Sequence, residues 1–202
     1  MPEQLISAFV TLLVVIDPIG LAPIFVGLTS GFDKATRRKI AVEASIIAFC
    51  VLAGTALIGD WLLGKLGISL AAFRIAGGLL LFAIAFEMVF QRRTERKTEQ
   101  TAQPGTTIAA FPLAIPLMAG PGAITAMVLL AGRLGHTPIA LTALIAIMGL
   151  MMLGCYLVFL AAGWLERLLG RQGEALLGRL LGVLLAALAV QFVADGVKAL
   201  GG

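Results

Sequence analysis

Two stretches carry the residue types best placed for chemistry. Asp17-Pro18-Ile19-Gly20-Leu21-Ala22-Pro23 sets two prolines and a glycine, and Pro116-Leu117-Met118-Ala119-Gly120-Pro121-Gly122 two prolines and two glycines, inside an apolar run. Prolines so close together remove backbone donors and crowd the preceding turn, so a continuous helix is not expected at either place. Proline favours the first helical position, so Pro18 and Pro121 can each open a new half-helix, with Asp17 and Gly120 as the preceding caps. A helix start presents unpaired N–H groups and a partial positive charge, which suits a carboxylate. Two such starts converging would make a compact site for a small zwitterion, with Gly20, Gly120 and Gly122 leaving room for close approach.

Asp17 has two readings. An acid deep in an apolar segment is a functional candidate, here for a coupling proton or cation or for an ammonium group. Asp before Pro is equally a good N-cap, occupied by the half-helix that it starts. Thr125 and Thr29 could offer hydroxyls near the interruptions, although such hydroxyls commonly bond back to their own helix. Arg74 and Arg179 lie about one turn inside apolar segments, where they either snorkel to the headgroups or attract a carboxylate. Cys50 and Cys155 stand 105 positions apart and raise a membrane thiol relay as an alternative, but small buried hydrophobes is the simpler reading. His136 has no second metal-type ligand nearby. The sequence indicates no metal, cofactor or nucleotide motif, and no enzyme activity is expected.

The elements that must position these residues follow from composition. Of 202 residues, 60% are hydrophobic and 13% charged, about half the roughly 25% charge of soluble domains, and the mean hydropathy is +1.04. A membrane helix needs about 20 apolar residues. Apolar runs between charge clusters give six spans, at 4–30, 40–60, 69–91, 107–131, 138–163 and 176–197. The expected architecture is therefore all-α and polytopic, with the lipid bilayer as its surroundings. A net charge of +4 does not indicate nucleic acid, because the basic residues are spread over short connections. Those connections set the orientation: the first, third and fifth hold eleven of the fifteen Lys and Arg residues, which keeps them cytoplasmic and puts both termini outside.

The chain also reads as two related halves, 1–91 and 107–202, joined by a cytoplasmic linker at 92–106. Pro18 and Pro23 recur as Pro116 and Pro121 at an offset of 98, Trp61 and Gly67 as Trp164 and Gly170 at 103, and Arg74 and Gly77 as Arg179 and Gly182 at 105. Three spans turn the chain over, so the second copy would enter the membrane upside down. Such inverted-topology repeats are typical of secondary transporters, whose midplane site forms where broken helices meet, here spans 1 and 4. Gly77, Gly78, Gly178 and Gly182 would let helices approach closely.

Asp17 to Phe25, Arg74-Ile75-Ala76-Gly77-Gly78 and Pro112 to Gly122 together resemble the MarC family of bacterial and archaeal inner-membrane proteins. The resemblance covers nearly the whole chain. It implies an inner-membrane protein of six spans and a transporter or exporter of small neutral amino acids such as glycine and alanine, coupled to a proton or sodium ion. The substrate would sit against the amides that follow Pro18 and Pro121. A passive channel is the other transport reading, and a homo-oligomer remains open. Leu21 stands where family members usually carry Asn.

Overall fold

A computed structural model describes residues 2–90, 108–135 and 137–201. The linker at 92–106 and His136 lie outside the described residues. Every element among them is helical: α1 (Pro2–Ile16), α2 (Pro18–Leu28), α3 (Lys34–Lys65), α4 (Leu70–Val89), the loosely wound α5 (Ala109–Met118), α6 (Pro121–Leu134) and α7 (Pro138–Gly201). Five stretches are long and apolar enough to cross a membrane: Glu3–Leu28, Lys34–Lys65, Leu70–Val89, Pro138–Leu165 and Ala175–Gly201. A sixth forms if α5 and α6, bent by 56° to each other, count as one.

Local chemistry explains where the helices begin and end. Asp33 caps α3 by accepting from the Ala35 amide at 3.3 Å, and Ser69 caps α4 by accepting from Ala72 at 3.1 Å. Thr137 does the same for α7 through Ala140, at 3.2 Å. Inside α7 the helix breaks at Gly170, whose φ of 58° favours a residue without Cβ. That glycine separates the last two membrane-length stretches.

The core joins α1, α2, α5 and α6 to the inner faces of α3, α4 and α7. Positions 122 to 131 of α6 are buried with the sole exception of Ile124, which is half-buried. Around this centre, α3, α4 and α7 turn large apolar side chains outward, among them Leu57, Trp61, Leu80, Phe86, Leu157 and Trp164. Exposed apolar faces of this extent belong against lipid rather than water.

Small residues set the helix spacing. A methyl group at Gly78 of α4 would stand 2.7 Å from Val193 Cγ2 and 2.8 Å from the Ala189 carbonyl oxygen of α7. One at Gly182 of α7 would stand 3.0 Å from Val89 Cγ2 and 3.1 Å from the Ala85 carbonyl oxygen of α4. The two contacts are reciprocal: Gly182, Val193 and Ala189 each follow their counterparts Gly78, Val89 and Ala85 by 104 positions. Gly178 meets nothing within 4 Å, so of the expected Gly178-x3-Gly182 pair only Gly182 is a packing glycine.

Two further contacts join the halves. Phe25 of α2 stacks on Phe159 of α7, ring centroids 4.6 Å apart, while Val128 of α6 packs against Gly59 of α3. At the same end of α2, Arg37 lies 5.8 Å over the Phe25 ring and Arg38 Nε donates to the Tyr156 hydroxyl at 3.1 Å.

Candidate functional site

The two proline stretches interrupt their helices differently. The first interruption is a single residue wide. Asp17 takes a left-handed conformation, φ 54° and ψ 67°, between Ile16 and Pro18, a region that Asp tolerates better than most side chains. Helical bonding runs up to it on both sides, with the Asp17 amide donating to Leu13 O at 2.9 Å and the Leu21 amide to Asp17 O at 3.1 Å. The sequence argues against a continuous helix here without fixing the width of the interruption. It is narrow because Pro18 holds the first helical position, where no donor is needed, and Pro23 is accommodated within α2. On ideal geometry α1 is about 22 Å long and α2 about 17 Å, so Asp17 falls near the middle of the span.

The second interruption is larger. In α5 the backbone is extended at Phe111 and Ile115, each preceding a cis proline, Pro112 and Pro116. Gly120 then caps α6 in an extended conformation with no side-chain hydrogen bond, and Pro121 opens the helix. Pro121, 103 positions after Pro18, is thus its structural counterpart. Pro116, matched to Pro18 by spacing, lies inside α5 and starts no helix.

The two places lie side by side. A methyl group at Gly122 would meet the end of the Ile84 side chain and stand 3.5 Å from Val15 Cγ1. Val15 is two residues before Asp17 and Gly122 two after Gly120. Because α2 leads away from this junction and α6 leads back along α1, the positive ends of both half-helices converge there.

The glycines and polar groups then divide. Asp17 is buried and accepts from the Gly20 amide at 3.1 Å, so α2 has a capped N-terminus. The space beside Gly20 is taken by the Asp17 carboxylate, that beside Gly120 by the Pro116 carbonyl and that beside Gly122 by Ile84. At Gly120 the neighbour is backbone and cannot yield, whereas at Gly20 and Gly122 it is a side chain. Pro18 is buried, Pro23 and Pro116 are half-buried and Pro121 is exposed. Thr125, also buried, turns its methyl group onto Gly77. Thr29 donates to Phe25 O at 2.7 Å within its own helix. Leu21 is fully buried.

The other candidates lie elsewhere. Arg74 is half-buried in α4, its Cβ against Gly196, and Arg179 is exposed on α7. In the register that pairs Gly78 with Gly182, Arg74 corresponds to Gly178 rather than Arg179, so the arginines do not hold equivalent places. Cys50 is exposed and Cys155 buried. Among the described residues no group of His, Cys, Asp and Glu could hold a metal. Sequence reasoning missed Val15 and Ile84, apolar residues that flank the junction and carry no motif. It also missed Ser45 of α3, whose buried hydroxyl has no hydrogen-bond partner. A lone serine among the buried alanines 41, 44 and 48 was the available signal.

Comparison with known proteins agrees with this architecture. The model of the MarC family of integral membrane proteins matches residues 3–200. The chain is 38% identical to a UPF0056 membrane protein of Aquifex aeolicus over 96% of its own length and 92% of the relative's. It is 36% identical to one of Methanocaldococcus jannaschii over 97% of both, and 34% identical to one of Escherichia coli over 94% and 90%. No solved structure matches the chain.

Proposed function

The chain belongs to the MarC family of multi-pass integral membrane proteins, and from that premise we propose that it is a secondary transporter or exporter of small neutral amino acids. It works in the inner membrane with both termini outside. The observation that carries this reading is the meeting of two half-helix starts, α2 at Pro18 and α6 at Pro121, beside the Val15–Gly122 contact.

Their difference supports a zwitterion as the guest. The start of α2 is already satisfied by the Asp17 carboxylate, whereas the start of α6 has no side-chain cap. A substrate carboxylate is therefore best served by the first-turn amides of α6, and an ammonium group, or a coupling proton or sodium ion, by Asp17. The reciprocal contacts of Gly78 and Gly182, with the crossed packing of Phe25 and Val128, support two inverted three-helix copies that rock against each other about this junction.

The test is uptake of labelled glycine and alanine into proteoliposomes, with and without a pH or sodium gradient. Saturable flux that exchanges with unlabelled substrate and responds to one gradient is expected. Absence of flux for every small neutral amino acid would refute the substrate, and flux without saturation or exchange would mark a channel.

A further inference from the structure

Eleven residues beyond Gly122, about 17 Å along α6, the seam between α1 and α6 opens into a cavity of about 140 Å³ lined by Glu3, Gln4, Ser7, Leu130, Arg133 and Leu134. That is roughly ten times the 10–15 Å³ that one water requires. The two helices run antiparallel, so this cavity and the Val15–Gly122 contact are the two ends of one seam. Its polar groups have opposite charge and different support. Arg133 is held from behind: its guanidinium lies 3.9 Å from the Asp195 carboxylate and 5.9 Å over the Phe192 ring, and Gln191 fixes Asp195 with a 2.7 Å hydrogen bond. Glu3 stands on the opposite helix.

We propose that this cavity is an outer binding site for a zwitterion, with Arg133 taking the anionic group and Glu3 the ammonium. Gln4 and Ser7 supply neutral hydrogen-bonding groups, and Leu130 with Leu134 forms an apolar floor suited to a small aliphatic side chain. Arg133 is preorganised for this task because Asp195 and Phe192 restrict its rotamers. Resting on the proposed transport of amino acids, the site would collect substrate at the head of the seam that leads to the half-helix starts. The same pair of charges suits a phosphatidylethanolamine headgroup, whose ammonium and phosphate have the same chemistry.

The experiment separates these sources. Binding of labelled alanine to the full-length protein is measured in liposomes of phosphatidylcholine and phosphatidylglycerol, with and without phosphatidylethanolamine, for wild type, Arg133→Gln, Glu3→Gln and Asp195→Asn. Lipid retained by the purified proteins is read by native mass spectrometry. An amino acid site predicts at least a tenfold weaker alanine affinity in both Arg133→Gln and Glu3→Gln, in either lipid mixture. Retention of phosphatidylethanolamine by wild type and its loss in both variants, with alanine binding unchanged, assigns the zwitterion site to the lipid. Alanine affinity and lipid retention both unchanged in Glu3→Gln, which leaves the Arg133–Asp195 pair intact, would overturn the proposal. Flux, alanine affinity and lipid retention all insensitive to both variants leave transport standing and remove this site. Lipid retention that depends on both residues, in a protein with no flux, does the reverse.

Discussion

The carboxylate of Asp17 fills the space that a side chain at position 20 would need, and accepts the Gly20 amide at 3.1 Å. One acid thus both starts α2 and crowds the position three residues on, which glycine fills.

Asp17→Asn keeps an acceptor oxygen and tolerates the left-handed backbone, so its thermal stability in detergent is expected to stay within about 0.5 kcal/mol of wild type. Asp17→Ala loses the cap and costs about 0.5–2 kcal/mol. Gradient-driven flux separates the two roles of the residue. If Asp17 binds the coupling ion, Asp17→Asn abolishes coupling while remaining folded. Retained coupling would leave it a cap alone.

At Gly122 packing and substrate binding make opposite predictions for a double variant. Gly122→Ala collides with Ile84, and shortening the neighbour in Gly122→Ala/Ile84→Ala removes the collision. Recovery of stability without recovery of alanine affinity is expected if the α6 amides must approach substrate closely. Recovery of both would make Gly122 a packing residue only.

Between α4 and α7, Gly78→Ala should destabilise the protein by about 1–2 kcal/mol, since overpacking outweighs the roughly 1 kcal/mol of added helix propensity. Gly178→Ala, which meets nothing, should be neutral or stabilising by up to about 1 kcal/mol. Paired denaturation curves in one detergent decide it. Equal effects at the two positions would refute the helix register.

Asp33 gives the folded state a pH dependence. The hydroxyl of Thr36, opposed by desolvation and then aided by the backbone amides of Thr36 and Ala35, holds its carboxyl below the usual value of 3.8. A carboxyl depressed on folding stabilises above its unfolded pKa and loses that contribution as pH falls through the folded pKa. Acid below about pH 4 should therefore narrow the gap between wild type and Asp33→Ala, while at pH 7 wild type is the more stable. A gap independent of pH would exclude the carboxylate as the cap of α3.

Replacing both Cys50 and Cys155 by Ala is expected to leave flux intact, with a stability loss of about 1 kcal/mol from the buried Cys155. Loss of function with a folded protein would revive the thiol relay.

What the sequence made legible was local. Asp17, Pro18 and Pro121 announce helix starts because their backbone chemistry is fixed by residue type, and the membrane-length stretches follow from apolar runs between charges. What it hid depends on how each helix is turned toward its neighbours. Spacing matched Pro18 to Pro116, but only Pro121 starts a helix. It also matched Arg74 to Arg179, yet packing makes Gly182 the counterpart of Gly78 at an offset of 104 and shifts the register by one. The glycines near the junction read as room for a guest, since nothing in the sequence places Ile84 beside Gly122 or the Pro116 carbonyl beside Gly120.

Phe25 rests on Phe159 and Val128 on Gly59, so each half of the chain lends its inner helix to the other. Severed between α4 and α5, neither fragment could hide its own centre, and each made alone would present that surface to chaperones and proteases. Produced together, the fragments should clasp and reconstitute a working protein, much as two chains of a heterodimer would.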